Sequence, residues 1–300
     1  MLLSTTEALS DNEAIDLLEA DRAAELFVQA QVSALRSVRA ARAEIFQGAG
    51  LMAATVNSGG ALVYAAAGSS GLMALADASE LPGTFGISPD KIQIHMAGGV
   101  PVDGRMPGDT EDDAEAAMAA MSDVHVGDVV IVLSASGTTP YAIGIANAAR
   151  TKDAKVIAIA NNPGSALLAL ADVSICLATP PEVIAGSTRL GAGTAQKATL
   201  NLMSSQMGIA LGHVYQGRMV NVVADNAKLV ARAVSIISNI SGVSTDKAKV
   251  ALDRAGGNTK SAILVAAGCE PEVAGRLLDE NNGHLGPCLS HLKSNQDTKI

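Results

Sequence analysis

The stretch AAAGSSGLMALADASELPGTFG, residues 65–86, decides how the rest of the chain is read. An apolar run enters a Gly/Ser loop, leaves it as an apolar helix, and reaches Glu80 near the helix end. Strand, small-residue loop and helix in that order form the unit of a parallel sheet covered by helices. The scheme returns in DVVIVLSASGTTPYAIGIANAAR at 128–150 and in KVIAIANNPGSALLALADVSICL at 155–177. IQIHMAG at 92–98 reads as another short strand. Repetition of this kind predicts an α/β fold, a parallel sheet flanked by helices, with right-handed crossovers.

Working outward, residues 1–57 read as a helical segment packing on the core, 58–238 as the α/β domain, 239–292 as a small three-helix domain, and 293–300 as a flexible tail. The small domain is marked by three helical segments that each end near glycine, at Gly256–Gly257, Gly268 and Gly283, the expected stop signal. The segment 198–215 carries no Asp, Glu, Lys or Arg, which predicts burial, with a subunit interface the favoured place.

Composition narrows the function. The 300 residues are 48% hydrophobic, 17% charged and only 2% aromatic, so small aliphatic residues must fill the core. A net charge of −9, with no basic patch interleaved with aromatics, argues against nucleic acid as a partner. The long uncharged stretches, 45–76 and 129–149, are broken by Gly, Ser, Thr, Asn or Pro and do not read as membrane spans. Cys176, Cys269 and Cys288 are too few and too scattered for a disulfide framework, which fits a reducing cytoplasm. The opening MLLSTTEALSDNEAIDLL turns acidic too early for a signal peptide.

Two loops carry the chemistry. Gly68-Ser69-Ser70-Gly71 places free backbone N–H groups and two hydroxyls at a helix start, a natural seat for a phosphate. Ser134-Ala135-Ser136-Gly137-Thr138-Thr139 offers the same with more hydroxyls. Neither is a Walker loop or a full GxGxxG fingerprint, so a nucleotide cofactor is poorly supported. Two acids complete the set. Glu80 sits among small apolar neighbours, where a carboxyl would have its pKa raised. Glu111, in PGDTEDDAEAA, stands at a predicted helix start, where acids are common for dipole reasons alone. The five histidines show no metal-ligand spacing, and no metal is expected.

The pieces AGSSG with DASELPGTFG, GDTEDDAEAA, SASGTTPY, NNPGSAL and AGSTRLGAGTAQKATLNLMS, and an opening Thr6-Glu7, together resemble bacterial N-acetylmuramic acid 6-phosphate etherases. The resemblance spans nearly the whole chain. It implies a sugar isomerase (SIS-type) domain, a flavodoxin-like three-layer sandwich, with a UBA-like three-helix end. It also implies a cofactor-free lyase of amino sugar catabolism and peptidoglycan recycling. Such a lyase cleaves the D-lactyl ether of N-acetylmuramic acid 6-phosphate by elimination and then hydration. By motif position, Glu80 matches the acid that protonates the departing lactyl oxygen and Glu111 the base at C2. Ser69, Ser70, Gly71, Ser134, Ser136, Gly137, Thr138, Thr139, Ser187, Arg189 and Lys197 fall where the family grips its substrate. The resemblance is to a divergent member of the family. Leu72, Thr138 and Gly191 stand where family members usually carry cations, which leaves hydroxyls and amides to hold the phosphate. A phosphosugar isomerase on the same fold would want a ring-opening histidine, for which only His95 lies near a strand end. A non-catalytic sugar-phosphate regulator, like the related glucokinase regulatory protein, is the other alternative. A homodimer is expected, with the second subunit contributing to each site.

Overall fold

The computed structural model describes residues 4–10, 14–224 and 226–297; Asn12 of the opening segment and 298–300 of the expected tail lie outside them. The chain forms two compact units. One comprises Met1–Ser79 with Asp90–Gln206, the other Glu80–Pro89 with Met207–Ile300.

The first unit opens with helices α1 (Ala20–Ala40) and α2 (Arg42–Asn57). Five strands follow, β1 (Leu62–Ala66), β2 (Ile92–Met96), β3 (Val129–Ser134), β4 (Lys155–Ala160) and β5 (Val173–Cys176). They build one sheet in the order β2-β1-β3-β4-β5, parallel throughout. The continuous apolar runs in the sequence are explained by this, because a parallel sheet is buried on both faces. Val63, Ala65, Val130, Val132, Val156 and Ala158 face helices α4 (Ala114–Ala120) and α5 (Pro140–Thr151), where Ala117, Tyr141, Ile145 and Ala149 meet them. The alternate residues, Leu62, Tyr64, Ile131, Leu133, Ile157 and Ile159, are equally inaccessible to solvent. On that side α2 approaches so closely that a methyl group on Gly48 would lie 3.6 Å from both Ile157 and Ile175 and only 2.7 Å from the Met203 sulfur. Truncating one of these isoleucines to alanine costs about 2–5 kcal/mol.

Helix α3 (Gly68–Phe85) follows β1, and helix α6 (Gly191–Ala210) follows β5. On α6, Leu200, Met203 and Met207 are buried while Leu202 and Ile209 are exposed. The uncharged segment therefore buries one face within the chain and leaves apolar side chains outside.

The second unit contains a two-residue hairpin, Val214–Tyr215 against Arg218–Met219, and five helices: α7 (Ala227–Ser241), α8 (Thr245–Arg254), α9 (Thr259–Ala266), α10 (Pro271–Glu280) and α11 (Leu285–Asp297). The expected boundary at 238/239 falls inside α7, whose Ala233, Ile236 and Ile237 share one core with Ala251, Ile263, Leu277 and Leu285. The three helices read from the sequence are α8, α9 and α10, and α11 continues through residues assigned to the tail. Glycine ends these helices as the sequence indicated; Gly242, the cap of α7, sits at φ +73°, a conformation most side chains resist.

Candidate active site

Strand order places the site. β1 has β2 on one side and β3 on the other, so the chain leaves the sheet in opposite directions at the carboxyl ends of β1 and β3. Open α/β sheets bind ligands at such a switch point. Ala66 is in register with Leu133, so the loops that follow, 68–71 and 134–139, start side by side.

In the first loop the backbone turns at Gly68 with φ +54°, and α3 begins there. Ser69 and Ser70 occupy its first turn, where the N–H groups have no intrahelical acceptors. Gly71 is buried against Met96, a packing role that does not put it on the cavity wall.

In the second loop the hydroxyls bond one another. Ser134 Oγ lies 2.9 Å from Thr139 Oγ1 and 3.3 Å from Ser136 Oγ, and accepts the Gly137 N–H at 3.0 Å. Ser136 Oγ accepts from the Thr138 N–H at 3.2 Å and from the Thr138 hydroxyl at 3.1 Å. Thr139 is the N-cap of α5, yet its hydroxyl is turned into this network and caps no amide. The α5 start has few amides to offer, since Pro140 at its first position carries no N–H. Asn162 braces the loop from below, donating to the Ala135 and Ser136 carbonyls at 3.3 and 3.2 Å. The same amide donates to Thr6 Oγ1 at 3.0 Å, which ties the amino-terminal segment to the loop.

Glu111 was expected in the first turn of a helix, and it is not there. Asp113 is the N-cap of α4, accepting the Ala116 N–H at 2.8 Å, and Glu111 lies two residues ahead of it. Its backbone is instead held by α5, since the Tyr141 N–H donates to the Glu111 carbonyl at 2.9 Å. The carboxylate reaches Gly68, where an added Cβ would stand 2.5 Å from Glu111 Oε1. Two helix starts and one acid therefore meet at one place.

The result is a cavity of about 240 Å³ lined by Ser69, Ser70, Ser134, Ser136, Thr139 and Glu111, together with Thr6, Glu7, Gly186, Thr188 and the apolar floor Ala67, Leu133 and Ala135. No lysine or arginine is among these lining residues. Thr138 is exposed and Gly137 buried, both shaping the loop from outside the cavity wall. A side chain at Gly137, φ +71°, would collide with Ser165. From the third expected cluster Thr188 reaches the cavity in place of Ser187 and Arg189, while Lys197 is exposed on α6.

Glu80 has a different environment from the one expected. On α3 the buried positions are Ala74, Asp77, Ala78, Leu81 and Phe85, a stripe of helical spacing that turns Glu80 outward to solvent. The buried carboxyl of this helix is Asp77. Burial raises its pKa, partly offset by bonds from Asn201 Nδ2 at 2.8 Å, Ser204 Oγ at 3.0 Å and the Tyr64 hydroxyl at 3.0 Å, and by the charge of Lys197. Sequence reasoning also passed over Asn162 and Glu7. The signals were present: an Asn-Asn pair just past β4, and an acid beside Thr6 in the opening segment.

Comparison with known proteins bears on the family and the fold. A family model described as SIS domain matches residues 104–207. The chain is 38% identical over 288 residues to an N-acetylmuramic acid 6-phosphate etherase of Deinococcus radiodurans, covering 95% of this chain and 94% of the relative. It is 44% identical over 215 residues to an N-acetylmuramic acid 6-phosphate etherase of Symbiobacterium thermophilum, covering 71% and 72%. Among solved structures, an E. coli protein determined with a bound ligand matches with a TM-score of 0.50 at 16% identity, over 67% of this chain and 97% of that one, a likeness of fold.

Proposed function

The chain belongs to the N-acetylmuramic acid 6-phosphate etherase family, and from that premise we propose that its hydroxyl-lined cavity performs the reaction for which the relatives are named. The substrate is N-acetylmuramic acid 6-phosphate, and the products are N-acetylglucosamine 6-phosphate and D-lactate. The observation that carries the reading is the meeting of two hydroxyl loops, two helix starts and the Glu111 carboxylate in one cavity.

The phosphate is seated by Ser69, Ser70, Ser134, Ser136 and Thr139 and by the first-turn amides of α3. Neutral donors suffice where helix dipoles favour an anion. With the sugar open, the C1 aldehyde acidifies the C2 hydrogen. Glu111 takes that proton as general base. The electron pair left at C2 expels the lactyl oxygen from C3, and an acid protonates it as it departs. Water then adds at C3 of the alkene, giving its spare proton to the carboxylate of the acid that had protonated lactate, while Glu111 returns the first proton to C2; both acids end as they began, with no oxidant or reductant.

The acid is Glu80, supplied by the second subunit of a homodimer. Eleven residues of α3 separate Ser69 from Glu80, about 16 Å of helical rise. From phosphorus to C3 an extended sugar phosphate spans only about 6 Å, and a glutamate side chain adds roughly 4 Å. A chain's own Glu80 therefore falls short, whereas the partner's Glu80 is free of that limit. Burial in the interface would give this exposed carboxyl the apolar surroundings a proton donor needs. Leu72, Leu202 and Ile209, exposed on α3 and α6, are the apolar side chains such an interface would cover.

The reaction belongs in the cytoplasm, a compartment in keeping with three free cysteines. No helix among the described residues is long and apolar enough to cross a membrane. An isomerase is not favoured: His95 lies in β2, bonded to Gln93 at 3.2 Å, and does not line the cavity. Incubation with N-acetylmuramic acid 6-phosphate in deuterated water tests the proposal. Release of D-lactate with deuterium at C2 is expected, and a Glu80→Gln variant should exchange C2 while releasing little lactate. A parent protein that gives neither lactate nor exchange would refute the assignment.

A further inference from the structure

Glu7 is held in the cavity wall by a built anchor. Thr6 beside it is only 2% exposed, and its hydroxyl accepts from the Asn162 amide that also braces the 134–139 loop. The segment turns tightly there, with the Glu7 and Ala8 N–H groups both donating to the Ser4 carbonyl at 3.0 and 3.1 Å. On its other side Glu7 Oε2 would lie 3.3 Å from a Cβ at Gly186, which also lines the cavity. The Glu7 carboxylate has no hydrogen-bond or ion-pair partner among the described residues, although Thr6 and Asn162 fix the backbone that presents it.

An unpaired carboxylate on the wall of an anion seat works against the anion. At a few ångströms it weakens a bare phosphate by about tenfold. It can favour binding only when the ligand brings its own hydrogen-bond donors, since a carboxylate accepts and cannot donate. We infer that Glu7 is a specificity-determining residue. It accepts hydrogen bonds from the hydroxyl or acetamido N–H groups of the sugar, and it disfavours orthophosphate and other small phosphate anions, which bring negative charge to the seat without a sugar to reach it. This rests on the reading that the cavity seats a sugar phosphate.

The test compares dissociation constants for orthophosphate and N-acetylglucosamine 6-phosphate by calorimetry in the parent, Glu7→Gln and Glu7→Asp proteins. Removing the charge in Glu7→Gln should tighten orthophosphate by about three- to tenfold. Losing the charged acceptor should weaken the sugar phosphate by about tenfold or more. Glu7→Asp keeps the charge and shortens the reach, so orthophosphate should stay within twofold of the parent while the sugar phosphate weakens. Both ligands shifting by one common factor in Glu7→Gln would overturn the inference, because a disturbed fold or a general field acts on both alike. A parent protein that binds neither ligand would overturn the seat and the role of Glu7 together. A parent that fails to release lactate but shows the opposed shifts would keep Glu7 as the selector and remove only the ether-cleaving reaction.

Discussion

Gly68→Ala should separate the placing of the base from the stability of the fold. Gly68 has φ +54°, a region that costs an alanine about 1–2 kcal/mol. The added methyl would stand 2.5 Å from Glu111 Oε1, so one of the two must retreat by roughly 1 Å to reach ordinary contact. The glutamate yields more easily, because its carboxylate is the end of a flexible side chain while Gly68 is fixed between β1 and α3. The Glu111 backbone stays where the Tyr141 N–H holds it, and the displacement falls on the carboxylate. Misplacing a reacting group by 1 Å costs about a hundredfold in rate. The variant should therefore lose about 1–2 kcal/mol in urea unfolding, while kcat for D-lactate release falls about a hundredfold at saturating substrate. In a Glu111→Gln background the same substitution should remove little further rate, since the group it displaces no longer acts as a base. A folded Gly68→Ala protein with kcat within twofold of the parent would refute the reasoning, as would an undiminished hundredfold loss on top of Glu111→Gln. A rise in KM alone would assign Gly68 to the phosphate seat instead.

Three further outcomes follow from the same geometry. Glu80→Gln and Glu111→Gln proteins, each inactive alone, should regain about a quarter of parental activity when unfolded, mixed and refolded, because half the dimers would then hold one intact site; no recovery would place both acids on one chain. Ser134→Ala deletes the acceptor of the Gly137 N–H and the partner of Thr139, worth about 1–2 kcal/mol of seat geometry, so KM should rise about tenfold with a smaller change in kcat. In the second unit, burial and the charges of Lys260 and His284, opposed by a bond to the Phe85 carbonyl, hold His213 down to about 4. The unfolded chain then binds the extra proton between pH 6.5 and 4, so stability should fall on acidification through that window by up to about 3 kcal/mol. His213→Gln should flatten that limb in urea titrations at several pH values, and an unchanged slope would count against a buried neutral imidazole.

Strand–loop–helix units are visible in sequence because burial on both sides of a parallel sheet requires unbroken apolar runs such as VVIVL and VIAIA. The phosphate loops are visible for a similar reason: small residues and hydroxyls are what let a backbone approach an anion at a helix start. Glu111 could be named by resemblance, but its spacing suggested a first-turn acid, and only the structure shows Asp113 taking that duty.

The amino-acid sequence by itself determined the α/β class, the two hydroxyl loops, the carboxyl-terminal helices and the family, all of which are written in local pattern or in motif. Tertiary structure alone decided that the loops share one cavity, that Thr6 and Glu7 join it across more than a hundred residues, and that Asp77 is buried where Glu80 is not. The reason is physical. Periodicity and loop chemistry act between neighbours in the chain, whereas strand order and the phase of a helix against its core are settled by the packing of segments far apart in sequence.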